Sequence, residues 1–219
     1  MAVGRNKRQL IARRAAQELK NGMIVNLGIG IPTLVADYVP EGVHVVFQAE
    51  NGILGYGPSP RKGEEDPYLC NAGGLPVTLM QGASYFDSTV AFGMIRRGLL
   101  DMTILGALQV SEKGDLANWI VPGKRVPGMG GAIDLAQKAK KVVVVTEHVA
   151  RDGSPKIVPE CTYPLTTREA VDLIVTNMAV IEVTGAGLVL KEVAREYTVD
   201  DVVRATAARL IVPDHVGEF

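Results

Sequence analysis

Short runs rich in Val and Ile alternate with stretches of helical spacing, and this alternation limits the folds open to the chain more than any other feature. The runs are MIVNLG (23–28), HVVFQA (44–49), VTLM (77–80), MTILGA (102–107), KVVVVTE (141–147), DLIVT (172–176) and AVIEVT (179–184). Helical patterns fall between several of them, at 33–39, 88–98 and 132–139. Strand alternating with helix predicts an open, mainly parallel sheet with helices on both faces. Ahead of the first run, residues 5–20 space Leu10, Ile11, Ala15 and Leu19 as the buried stripe of a helix closed by Gly22, with its Arg and Lys side chains on a solvated face. Beyond residue 150 the strands crowd together, and a last helix begins near Thr198, with Thr198 as its cap and Asp200 and Asp201 in its first turn.

A chain of 219 residues fits one domain, spanning 1–219, and 47% hydrophobic residues supply its core without disulfides. Cys70 and Cys161 lie far apart in a chain with no secretory h-region, which predicts a cytoplasmic compartment and no zinc site. A net charge of −1 gives no electrostatic drive towards nucleic acid or an anionic membrane. No apolar run approaches the ~20 residues that a bilayer span needs.

Of the 24 glycines, 19 fall between Gly22 and Gly131, so loops that approach a ligand closely are expected there. The segment 51–76 is too long for an ordinary connection and reads as a functional loop. His44, His148 and His215 form no metal-binding pair, and no Ser occupies a nucleophile elbow; each His is expected to be structural or at the surface.

Two readings of one acidic residue remain. Gly28-x-Gly30 followed about 20 residues later by Glu50 imitates a dinucleotide fingerprint, in which Glu50 would bind a ribose, although Thr33 stands in the third glycine position and Pro32 intrudes. Alternatively, Glu50 ends a strand and the chain turns abruptly through Asn51-Gly52, which presents a carboxylate at the carboxyl edge of the sheet. A carboxylate is ionised at neutral pH without a partner base, but it is a weak nucleophile, so its attack on a carbonyl needs oxyanion donors. The loop GMGGAID (128–134) offers backbone N–H groups at Gly130, Gly131 and Ala132.

The segments NLGIGIPTLVADYVP, QAENGILGYGP, NAGGLPVT, GASYFDS, ILGALQVSEKGDLANWIVPGKRVPGMGGAIDLA and KIVPECTYPLT together resemble the B (β) subunit of the bacterial 3-oxoacid CoA-transferases. They resemble as well the C-terminal half of the fused succinyl-CoA:3-ketoacid CoA-transferases, over about residues 5–195. The resemblance implies an α/β fold of the CoA-transferase (NagB/RpiA-like) type. It implies ping-pong exchange of CoA between carboxylic acids, with succinyl-CoA and acetoacetate the best-fitting pair and 3-oxoadipate close behind. Glu50 corresponds to the nucleophile, in a motif where Ala49 replaces the usual Ser. Asn26 corresponds to an asparagine near the thioester, and Gly131 with Ala132 to the acyl or oxyanion contact; Gly28, Asn51 and Gly130 complete the expected binding set. No tightly bound cofactor is implied, CoA being substrate and transient covalent adduct. A partner A (α) subunit follows, in an α2β2 assembly by symmetry. A nicotinamide-dependent oxidoreductase component and a non-catalytic scaffold component are the alternatives.

Overall fold

Seven Val/Ile runs become strands of one sheet in the computed structural model, which describes residues 2–123 and 128–219. In chain order the elements are α1 (Ala2–Ala16), β1 (Ile24–Leu27), a 3-10 helix (Pro32–Tyr38), β2 (Val46–Ala49), β3 (Ile53–Tyr56), β4 (Leu79–Tyr85), α2 (Ser88–Arg96), β5 (Met102–Gly106), β6 (Gln109–Ser111) and β7 (Leu116–Ala117). There follow α3 (Ala132–Lys138), β8 (Val142–Val145), β9 (Ile157–Val158), β10 (Leu173–Val175), β11 (Ala179–Thr184), β12 (Gly187–Val193), α4 (Val199–Ala205), β13 (Leu210–Ile211) and β14 (Gly217–Glu218). The large sheet runs β13-β12-β11-β10-β8-β5-β1-β2-β3-β4, with β14 also on β12, and β7-β6-β9 form a small second sheet. Its centre, β10-β8-β5-β1-β2, is parallel, and antiparallel strands β11-β12 and β3-β4 extend it on either side.

Apart from Asn26, Gln48 and Thr103, the central strands are apolar, because both faces are covered. Met102, Ile104, Val143, Val145, Leu173 and Val175 pack on the side of α1, whereas Leu105, Val142, Val144 and Ile174 pack on the side of α2, α3 and α4. Each such Val or Ile taken from water contributes about 1.5–3 kcal/mol. The expectation of an open, mainly parallel sheet with helices on both faces therefore holds. So does the start of the last helix: Thr198 Oγ1 accepts from the Asp201 N–H, and the Asp201 carboxylate accepts from the Thr198 N–H, a full capping box.

Four expectations need correction. The first helix ends at Ala16, where tighter i→i+3 bonds take over; Leu19 still reaches the core. Its basic face is not wholly solvated, because Arg14 is buried, with Nε and Nη2 forked onto Glu192 of β12 at 2.6 and 2.7 Å and Nη1 on Glu18 at 2.8 Å. The segment 51–76 is not loop throughout, since it contains β3, which pairs antiparallel with β2. The stretch 33–39 forms a 3-10 rather than an α-helix.

His148 is structural. It is fully buried, with Nδ1 2.9 Å from Thr176 Oγ1 and Nε2 2.9 Å from Thr206 Oγ1. Burial lowers its pKa to about 4. The unfolded chain takes up this proton near pH 6.5 and the folded chain does not, so stability falls as the pH drops through that window. At pH 5 the cost is about 2 kcal/mol relative to pH 7. Urea unfolding at the two pH values should show this loss, and His148→Gln, which has no such proton to bind, should lose that part of it. Equal pH slopes in the two proteins would show that the native imidazole accepts the proton.

Among the described residues, no helix is long and apolar enough to cross a membrane, and no group of three or more His, Cys, Asp or Glu side chains converges to hold a metal.

Candidate active site

β1 lies between β2 on one side and β5 on the other, and the chain leaves it in one direction before returning to build the other half of the sheet. Open α/β sheets bind ligands outside the carboxyl ends of the strands at such a reversal. A cleft of about 540 Å3 occupies this position. Gly28 and Ile29 after β1, Glu50 after β2, Leu105 to Leu108 at the end of β5, Asn118 after β7, and Gly128 to Ala132 leading into α3 line it.

Glu50 sits in the turn between β2 and β3. The Gly52 N–H donates to the Ala49 carbonyl at 3.0 Å, and Gly52 adopts φ +117°, which excludes most L residues. A Cβ at Gly52 would stand 1.9 Å from the Phe86 carbonyl oxygen, while the Phe86 N–H donates to the Gly52 carbonyl at 3.0 Å. The turn is thus pressed against the end of β4. Strand alternation then sorts the side chains: Phe47 and Ala49 enter the core on the α1 side, and Gln48 and Glu50 face the α2 side. A hydroxyl at position 49 would point away from the cleft, which accounts for the tolerance of Ala there.

The Glu50 carboxylate is half-buried and has one fixed partner. Asn26 Nδ2 donates to Glu50 Oε2 at 3.0 Å, and among the described residues Oε1 takes no hydrogen bond. Tyr56, stacked on Phe47, is held protonated, its phenol raised above the ordinary range by burial and by the nearby Glu50 charge.

The structure brings Gly28, Glu50, Gly130, Gly131 and Ala132 to one cleft. Gly28 permits the close contact of β1 with β5, since a Cβ there would be 3.2 Å from both the Ile104 carbonyl and the Leu105 side chain. A Cβ at Gly131 would meet the Phe92 ring at 3.0 Å. Asn26 is not on the cleft surface; it is wholly buried beneath Glu50. Asn51 turns aside, donating from Nδ2 to the Cys70 carbonyl at 2.9 Å. No residue of 51–76 lines the cleft. Gly28-x-Gly30 opens onto the 3-10 helix and not the α-helix N-terminus that pyrophosphate binding uses. Sequence reasoning missed Asn118, whose side-chain carbonyl accepts from Thr166 Oγ1 at 2.6 Å, and the buried Gln48 and Thr103 below Glu50. A lone Asn between apolar neighbours in LANW was the available signal for the first of these.

A family described as coenzyme A transferase matches residues 8–205. The β subunit of a probable coenzyme A transferase of Bacillus subtilis is 59% identical, covering 96% of this chain and 97% of its own length. The B-type chain of a probable succinyl-CoA:3-ketoacid coenzyme A transferase from the same species is 49% identical, covering 95% of this chain and 97% of that protein. The β subunit of the acetate CoA-transferase of Escherichia coli is 50% identical over 94% of each chain. Among solved structures, an acyl-CoA transferase apoenzyme from Escherichia coli O157:H7 superposes with a TM-score of 0.76 at 22% identity. That match covers 97% of this chain but 43% of the solved one.

Proposed function

The chain belongs to the coenzyme A transferase family as a subunit of the B (β) kind, and from that premise we propose that residues 1–219 act as one catalytic domain that exchanges CoA between carboxylic acids through a thioester on Glu50. The observation that carries this reading is the meeting, in one cleft, of the Gly130–Ala132 backbone and a carboxylate whose Oε1 takes no hydrogen bond from the described residues.

Glu50 attacks the carbonyl of the donor acyl-CoA, forming a mixed anhydride and expelling the CoA thiolate. The thiolate attacks the Glu50 carbonyl, forming the enzyme thioester and releasing the first acid. The acceptor carboxylate attacks that thioester to give a second anhydride and free thiolate. Attack of the thiolate on the acceptor's acyl carbon yields the new acyl-CoA and regenerates Glu50. Covalent catalysis replaces one difficult exchange by four easier steps. Asn26 holds the carboxylate in place, and the Gly131 and Ala132 N–H groups face the developing oxyanions. Ala132 is the first residue of α3, so its N–H has no partner within the helix.

Succinyl-CoA and a 3-oxoacid such as acetoacetate are the proposed pair, supported by the name of the 49%-identical relative. The 50%-identical relative is named for acetate, so acetate joins acetoacetate and 3-oxoadipate in the acceptor panel. The proposed partner is an A (α) subunit in an α2β2 complex. The test is to incubate that complex with acyl-CoA and no acceptor, then digest it and weigh the peptides. A CoA adduct on the peptide carrying Glu50 supports the reading; an adduct on another carboxylate overturns it.

Ala132→Pro tests the oxyanion donors. Proline is tolerated at the first position of a helix and removes one N–H. The expected outcome is a kcat lower by roughly two to three orders of magnitude in a folded complex. A folded variant with near-normal kcat would exclude the Ala132 N–H as a donor.

A further inference from the structure

Three polar side chains lie enclosed beneath Glu50 in the parallel centre of the sheet, which is otherwise apolar. Asn26, Gln48 and Thr103 each have no solvent exposure. They are direct neighbours across β2, β1 and β5, with Asn26 paired in register with Gln48 on one side and with Thr103 on the other. Burying polar groups is costly unless every one is bonded, and an apolar trio would serve packing as well.

Their bonds form a directed chain. Gln48 Nε2 donates to the Ala91 carbonyl of α2 at 3.4 Å, which turns Gln48 Oε1 towards Asn26. Asn26 Nδ2 donates to Gln48 Oε1 at 2.8 Å, with the Gln48 backbone carbonyl a further acceptor at 3.2 Å, and to Glu50 Oε2 at 3.0 Å. Thr103 Oγ1 stands 3.5 Å from Asn26 Oδ1 on the far side. A primary amide has two ends of similar shape, and a flipped Asn26 would aim its carbonyl oxygen at the Glu50 carboxylate. Gln48 opposes that flip, since its side chain and its backbone carbonyl both place acceptors where the NH2 must be, and the Thr103 hydroxyl completes the bonding of the oxygen as placed.

We propose that Gln48, seconded by Thr103, is a positioning residue for the exchange reaction: it fixes the Asn26 amide so that an N–H always faces the nucleophilic carboxylate. The proposal rests on Glu50 as the nucleophile and adds the residues that aim it.

The test is a double-mutant cycle in the complex with its partner subunit. Gln48→Met keeps the length of the side chain and removes its acceptor, the shorter of the two that Gln48 offers; Asn26→Ala removes the amide. Each is expected to lower kcat roughly 10- to 100-fold, the scale of a misplaced reacting group, with KM for acyl-CoA changed by less than about threefold. The double variant should be no slower than Asn26→Ala alone, because Gln48 acts through Asn26. Losses that multiply, or a wild-type kcat in Gln48→Met, overturn the proposal. Thr103→Val, isosteric and apolar, is the second probe if Gln48→Met does not fold: a several-fold loss that vanishes in the Asn26→Ala background supports the relay, and an unchanged kcat refutes it. The CoA adduct on Glu50 in the wild type is the separate control. Its absence sinks the nucleophile assignment, whereas its presence beside independent losses sinks the relay alone.

Discussion

Glu50→Gln in the assembled complex is expected to lower CoA exchange on the order of 10⁴-fold or more, the scale seen when a covalent nucleophile is removed. The substitution is nearly isosteric, and its side-chain carbonyl can still accept from Asn26, so a folded complex should survive. What disappears is the charge that attacks and the leaving-group chemistry that a thioester needs. A second readout tests the same group independently of turnover. Once the Glu50 carbonyl is a thioester, its own backbone nitrogen can attack it on heating, closing a five-membered ring and expelling CoA thiol. Water then cleaves the resulting acyl imide between Ala49 and Glu50. Heating with acyl-CoA and no acceptor should therefore give fragments 1–49 and 50–219 by mass spectrometry, and Glu50→Gln should give neither. The same cleavage in Glu50→Gln would overturn the mechanism.

The isolated chain is expected to show no CoA exchange above background until the partner subunit is added. Ile29, which lines the cleft, is 67% exposed and offers apolar surface that a second chain would cover. An anhydride intermediate also has to be kept from water, and the segment 51–76 does not cover the cleft. Mixing the separately purified subunits and following acyl exchange would read the effect directly. Comparable turnover by residues 1–219 alone would contradict a site shared between subunits.

The parallel centre of the sheet was legible because β8 and β10 are buried on both faces and so read as unbroken Val, Ile and Leu. The cap of α4 was legible because Thr198 and Asp201 are three residues apart and need no distant partner. β3 was not, since Gly55 interrupts a strand of only four residues and its pairing with β2 is tertiary information. The burial of Arg14 was hidden for a similar reason: its principal partner, Glu192, is 178 residues away. At the site, the convergence of Glu50 with Gly130, Gly131 and Ala132 followed from strand ends and a glycine-rich helix start. The polar ladder beneath them did not, because Gln48, Asn26 and Thr103 become neighbours only when three strands take one register.

The turn at Gly52 bears on how such a protein can change over time. Every single-base change in a glycine codon that substitutes another amino acid adds at least one carbon at a point 1.9 Å from the Phe86 oxygen, on a backbone held at φ +117°. Drift is therefore barred in the turn from which the acid hangs. New substrate preference has to come from elsewhere, from the cleft wall at Leu105 to Leu108, from Asn118, or from a second chain, while the carboxylate stays where it is.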